Sequence, residues 1–72
     1  MTKTVLEKIE GTNYKNTLEI KRADRKRLEE SGHEQAADAI KASIAGYVQA
    51  LRDCGVITER ERQVLFIYYG TV

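Results

Sequence analysis

Proline and tryptophan are absent from this chain, and cysteine and histidine occur once each, at Cys54 and His33. Without proline, no helix meets an internal breaker. A single cysteine excludes an intramolecular disulfide, and Cys54 with His33 falls short of the four donors that a structural zinc site requires. No metal or catalytic role is assigned to either. No run is long and apolar enough for a membrane span, and the N-terminal residues lack the apolar stretch of a signal peptide, so a soluble, cytoplasmic protein without a membrane partner is expected. Also missing are a nucleophile placed beside a base, a glycine-rich phosphate loop and paired carboxylates at a site. The expectation is a protein that is not an enzyme and uses no cofactor.

What is present favours helix. Ala, Leu, Glu, Lys, Arg and Gln dominate the 72 residues, which fit one domain, 1–72. At this size a single core barely offsets chain entropy, and with disulfide and zinc excluded, oligomerisation is the remaining stabiliser. The fold class read from the pattern is all-α, a small helical bundle of four helices, two short and two long. A helical hairpin would carry a C-terminal helix packed back on it, and the whole is expected to be a homo-oligomer.

Thr4-Val5-Leu6-Glu7 has capping-box spacing, in which a hydroxyl and a carboxylate each satisfy a free amide of the first turn. A short first helix is predicted from there to about Glu10, with Gly11 taking the left-handed conformation that ends it. Thr12 or Asn13 caps a second helix to about Glu30. Ser31 and Glu34 repeat the capping-box spacing around Gly32 and open a third helix that reaches Cys54. Ala37, Ile40, Ile44, Tyr47, Val48, Leu51 and Cys54 form its apolar stripe. Tyr14, Tyr47 and Cys54 are expected in the core. Gly55 suits a left-handed stop, and Thr58 with Glu61 makes the last capping box.

Net charge is +1, with residues 1–30 at +2 and residues 31–72 at −1, too mild an imbalance to indicate nucleic acid by itself. The second helix is locally unusual. Tyr14, Leu18 and Leu28 share its apolar face with Lys21 and Arg25, and Lys21, Arg22, Arg25 and Lys26 project with Lys15 over an arc of roughly 140°. Arg27 completes the basic run. One reading is a solvated face with Lys15–Glu19, Arg25–Glu29 and Lys26–Glu30 pairs, worth about 0.2–0.5 kcal/mol each. Another is an anion-binding face for nucleic acid or a nucleotide, using Lys21, Arg22, Arg25, Lys26 and Arg27. A third is contact with a partner protein's acidic surface.

Two further features suggest interfaces. Ala39, Ser43, Gly46 and Ala50 form a strip of small residues, and a mid-helix glycine costs about 1 kcal/mol against alanine, so Gly46 makes sense where another helix approaches. Val64, Leu65, Phe66, Ile67, Tyr68 and Tyr69 are consecutive, so on a helix they point in every direction. Interface residues are therefore expected at Ala39, Gly46, Ala50, Phe66, Ile67, Tyr68 and Tyr69.

The segment Thr58–Leu65, TERERQVL, resembles the opening of the helix-turn-helix in sigma-factor region 4 and in LuxR-type regulators. The resemblance covers those residues alone. The families continue with a turn and a recognition helix that the sequence to Val72 does not supply, so no DNA-contacting role is carried over.

Two functions remain. One is a self-associating, non-enzymatic protein that binds an anionic ligand, nucleic acid or nucleotide, through the basic helix face. The other is a protein-binding inhibitor or adaptor, of the size of phage and mobile-element accessory factors, that engages a larger partner through its apolar C-terminal helix.

Overall fold

A computed structural model describes residues 2–72 and places four helices in them, α1 (Thr2–Lys8), α2 (Asn13–Glu30), α3 (Glu34–Asp53) and α4 (Glu59–Gly70). The fold is an all-α bundle, without strands among the described residues. α2 and α3 form the hairpin, α4 returns along α3 and also touches α2, and α1 lies against α4.

Each turn between helices is set by particular backbone chemistry. Gly11, Gly32 and Gly55 all have positive φ, at 75°, 80° and 79°. At Gly55 the amide of Val56 donates to the Leu51 carbonyl and that of Gly55 to the Arg52 carbonyl, the paired bonds that close a helix when its next residue is left-handed. The same pair recurs at Gly32, with His33 donating to Leu28 and Gly32 to Glu29. At the other ends, the Thr12 hydroxyl accepts from the Lys15 amide, and Thr58 with Glu61 forms a complete capping box.

Two expected caps are corrected. α1 begins at Thr2, so Thr4 lies inside the helix and is not its cap. His33, not Ser31, precedes α3, and it makes no side-chain cap. The Ser31 hydroxyl instead donates to the Arg27 carbonyl and closes α2, because Gly32 separates it from the next helix.

Val5, Ile9, Leu18, Ile44, Val48, Leu51, Ile57, Leu65 and Tyr69 form one buried cluster drawn from every helix and from the turns after α1 and before α4. Ile40, Tyr47, Val56, Val64, Phe66 and Tyr68 pack against it, half-buried. Cys54 and Tyr14 lie outside it. Cys54 is exposed because the helix ends at Asp53 and the chain turns away at Gly55; Tyr14, in the first turn of α2, projects beyond the packed helices. No helix is long and apolar enough to cross a membrane among the described residues.

Candidate functional site

The basic stretch of α2 divides into an inner and an outer part. Arg25 is buried: its Nε donates to the Tyr69 carbonyl at 3.2 Å and its Nη1 to Glu29 at 2.8 Å. Lys21 donates to the Ser43 hydroxyl at 2.6 Å and stands 5.9 Å from the Tyr47 ring centre, bridging α2 to α3. Arg22 lays its guanidinium over Tyr68, 4.5 Å from the ring centre. Only Lys26 and Arg27 are exposed, and Arg27 pairs with Asp24 at 3.2 Å. Of the three expected pairs along α2, Arg25–Glu29 forms; Lys15 instead binds Glu10, which the turn at Gly11 brings beside it. Charges that face α3 and α4 thus bind partners on those helices, which a helical wheel of α2 alone does not register.

The aromatic stretch of α4 divides the same way. Tyr69 is fully buried, and its phenol donates to Glu19 at 3.0 Å. Burial, then the Glu19 carboxylate, pushes that phenol well above the ordinary tyrosine range. Phe66 is half-buried, its ring lying over Gly70 so closely that a Cβ there would stand 3.1 Å away. Tyr68 tilts against Tyr69 with ring centres 4.8 Å apart. Ile67 remains outside, 56% exposed.

Beside Ile67 runs an apolar groove of about 310 Å³, lined by Thr2 of α1 and by Val64, Ile67, Tyr68 and Val72. That is at the small end for a ligand pocket, with room for a few large side chains. Thr2 and Val72 were not singled out in the sequence, and Val64 only as one member of the apolar run. Val64 and Ile67 fall at i,i+3 on one face of α4, a signal hidden by the apolar residues on every other face. The contribution of Thr2 depends on α1 folding onto α4, which no local pattern encodes.

Three carboxylates near the groove's helices are paired with cations of the same chain, while the exposed Glu7 of α1 lies outside every ion pair among the described residues. Arg62, then Arg52 and Gln63, hold Glu59 far below the ordinary carboxylate range. Lys8, then the Thr58 amide, lowers the Glu61 carboxyl from its ordinary value, and Lys8–Glu61 joins α1 to α4 at 2.8 Å. Glu10 is taken by Lys15. By contrast Arg22, Lys26 and Arg60 lie outside every ion pair formed among the described residues.

The third expected interface, along α3, is open. Ala39, Gly46 and Ala50 are exposed, and outside the local backbone of α3 no atom of the described residues lies within 4 Å of where a Gly46 Cβ would be. Ser43 of the same strip is the exception, half-buried and accepting from Lys21 of α2.

No protein-family model matches the chain, and comparison with curated proteins and with solved structures likewise finds no match.

Proposed function

We propose that the chain is a non-enzymatic protein-binding module whose docking face is the apolar groove between α1 and α4. The carrying observation is that a chain which buries Leu18, Ile44, Val48, Leu65 and Tyr69 completely still leaves Ile67 and Val72 more than half exposed beside one another. Isolated exposed apolar residues are ordinary, but apolar residues gathered in a concave surface with an aromatic ring in its wall are what interfaces are built on. The mode is that of an inhibitor or adaptor, acting by occupancy of a partner.

The test uses a displayed library of short helical peptides selected against the intact protein. Enriched peptides should protect amides of α4 from hydrogen exchange and should bind Ile67→Asp at least about tenfold more weakly, a loss of about 1.4 kcal/mol. Because Ile67 is outside the core, the variant should keep wild-type stability within about 0.5 kcal/mol. Peptides that bind Ile67→Asp as well as wild type would refute the assignment of this face.

A second reading, an anionic ligand such as nucleic acid or a nucleotide on α2, is supported by Lys26, exposed and outside any ion pair among the described residues. It draws on fewer side chains than the basic run implies, since Lys21, Arg22 and Arg25 reach toward α3 and α4. Salt-dependent oligonucleotide binding that falls in Lys26→Ala/Arg27→Ala would favour it.

A further inference from the structure

We infer that α1 is a strap that opens as a unit, and that Glu61 fastens it, so that docking of α1 and capping of α4 support one another. The α1 wall of the groove then exists only while the strap is closed. The inference concerns how the groove is formed and does not require that a partner occupy it.

α1 has seven residues, about two turns, too few to hold a helix in water without packing. It lies against α4, with Val5 buried in the core and Leu6 packed against it. α2, α3 and α4 all touch one another directly, so α1 can come away without parting any of those pairs. The turn beyond it stays with α2. There Thr12 caps α2 and also donates to the Ile9 carbonyl, and Glu10 pairs with Lys15.

The polar fastening of α1 to α4 is at Glu61. Its carboxylate Oε1 accepts from the Lys8 ammonium at 2.8 Å and from the Thr58 amide at 2.8 Å, so one atom serves both the strap and the capping box. The Glu61 amide in turn donates to the Thr58 hydroxyl at 3.2 Å, which holds the residue in the first turn of α4. No other ion pair among the described residues joins these two helices. The Glu61 side chain is 16% exposed, against 44% for Lys8, so the acceptor is the ordered member of the pair. Each bond holds the carboxylate in the rotamer that the other needs, and the freedom of that side chain is lost once for both. Coupling of this kind is reciprocal: whatever the cap adds to docking of α1, docking adds to the cap.

The consequence for the groove follows from its lining. Thr2 is its wall on α1, and Val64, Ile67 and Tyr68 are its wall on α4. Opening of the strap removes the first wall and leaves the second as an open helix face. It also brings the buried Val5 into water, so the closed form is the major one.

The experiment uses the full chain. Urea denaturation of wild type, Lys8→Met, Thr58→Ala and the double variant forms a double-mutant cycle, and native-state hydrogen exchange follows the amides of α1 as urea is raised. Lys8 and Thr58 are both exposed, so the variants leave the core intact. The double variant should lose at least about threefold less of the folding equilibrium constant than the product of the two single losses. Lys15→Met is the control, because its ion pair with Glu10 lies away from α4, and its loss should simply multiply with that of Thr58→Ala. Amides of α1 should exchange with a weaker dependence on urea than those of α2 and α3, the mark of an opening smaller than global unfolding. Losses that multiply for Lys8→Met with Thr58→Ala, or equal coupling in the Lys15→Met control, overturn the shared fastening. Exchange of α1 with the same urea dependence as α2 and α3 overturns the strap, because α1 would then leave only when the whole molecule unfolds. Neither readout uses a ligand, so either can fail while the docking face, tested by Ile67→Asp, still stands.

Discussion

Arg25 is the residue at which sequence and structure differ most in meaning. In the sequence it is one cation among several; in the fold it is 3% exposed and ties α2 to the last turn of α4. A buried guanidinium replaced by a small side chain loses both charge-assisted bonds and the packing of its aliphatic stem. Arg25→Ala should cost about 2–4 kcal/mol in chemical denaturation. Arg25→Met, which refills the space, should recover more than half of that, because Glu29 can be solvated where it stands. If both variants matched wild type, the guanidinium would not be holding α4. The clue to its position was available: Arg25 shares the Leu18 face of α2, where a core residue is expected. Which group it would meet there was not, because the Tyr69 carbonyl lies 44 positions away in sequence.

At the scale of elements, reading the sequence succeeded where the chemistry is local. The stops at Gly11, Gly32 and Gly55 and the caps at Thr12 and Thr58 depend on a few adjacent residues, and they are where spacing placed them. Reading failed at Thr4 and Ser31, where the same spacing occurs but the helix register differs by a few residues. Capping-box spacing identifies residues able to cap, and the position of the first helical turn decides which of them do. The glycine positions carry the firmer prediction. Apart from Gly55 and its chain neighbours, no atom of the described residues lies within 4 Å of a Cβ built there, so the penalty for a side chain is conformational and not steric crowding. Gly55→Val should lower stability by more than about 1 kcal/mol, read by urea denaturation, since a β-branched residue strongly disfavours positive φ. A neutral effect would mean that the turn relaxes into another conformation.

For the whole molecule, one expectation of the sequence changes its basis. An apolar excess in a small chain suggested that oligomerisation must complete the core, whereas nine apolar side chains from all four helices and the turns after α1 and before α4 close it within one chain. What a second copy could still use is the exposed strip of Ala39, Gly46 and Ala50 on α3. Gly46→Ala discriminates between the two states. On an open face it should stabilise the protein by about 1 kcal/mol through helix propensity. Where the backbone of another chain packs against Gly46, the added methyl should instead weaken assembly. Thermal unfolding at several concentrations together with light scattering reads both. The groove was only half legible for a related reason: Ile67 and Tyr68 stand out in composition, but a groove needs a second wall, and Thr2 supplies it from the opposite end of the chain.

The bond from Arg25 to the Tyr69 carbonyl has one more consequence, in the domain of rates. Terminal turns of helices ordinarily fray, and a partner that must wait for a turn to form binds slowly and loses affinity to the cost of ordering it. Here the final turn of α4 is fastened from behind by a side chain that faces away from solvent. Encounter should then be limited by diffusion and orientation, with association near the usual 10⁵–10⁷ M⁻¹s⁻¹. Arg25→Met would slow that association even where its equilibrium stability is preserved, turning a docking step into a docking step preceded by local folding.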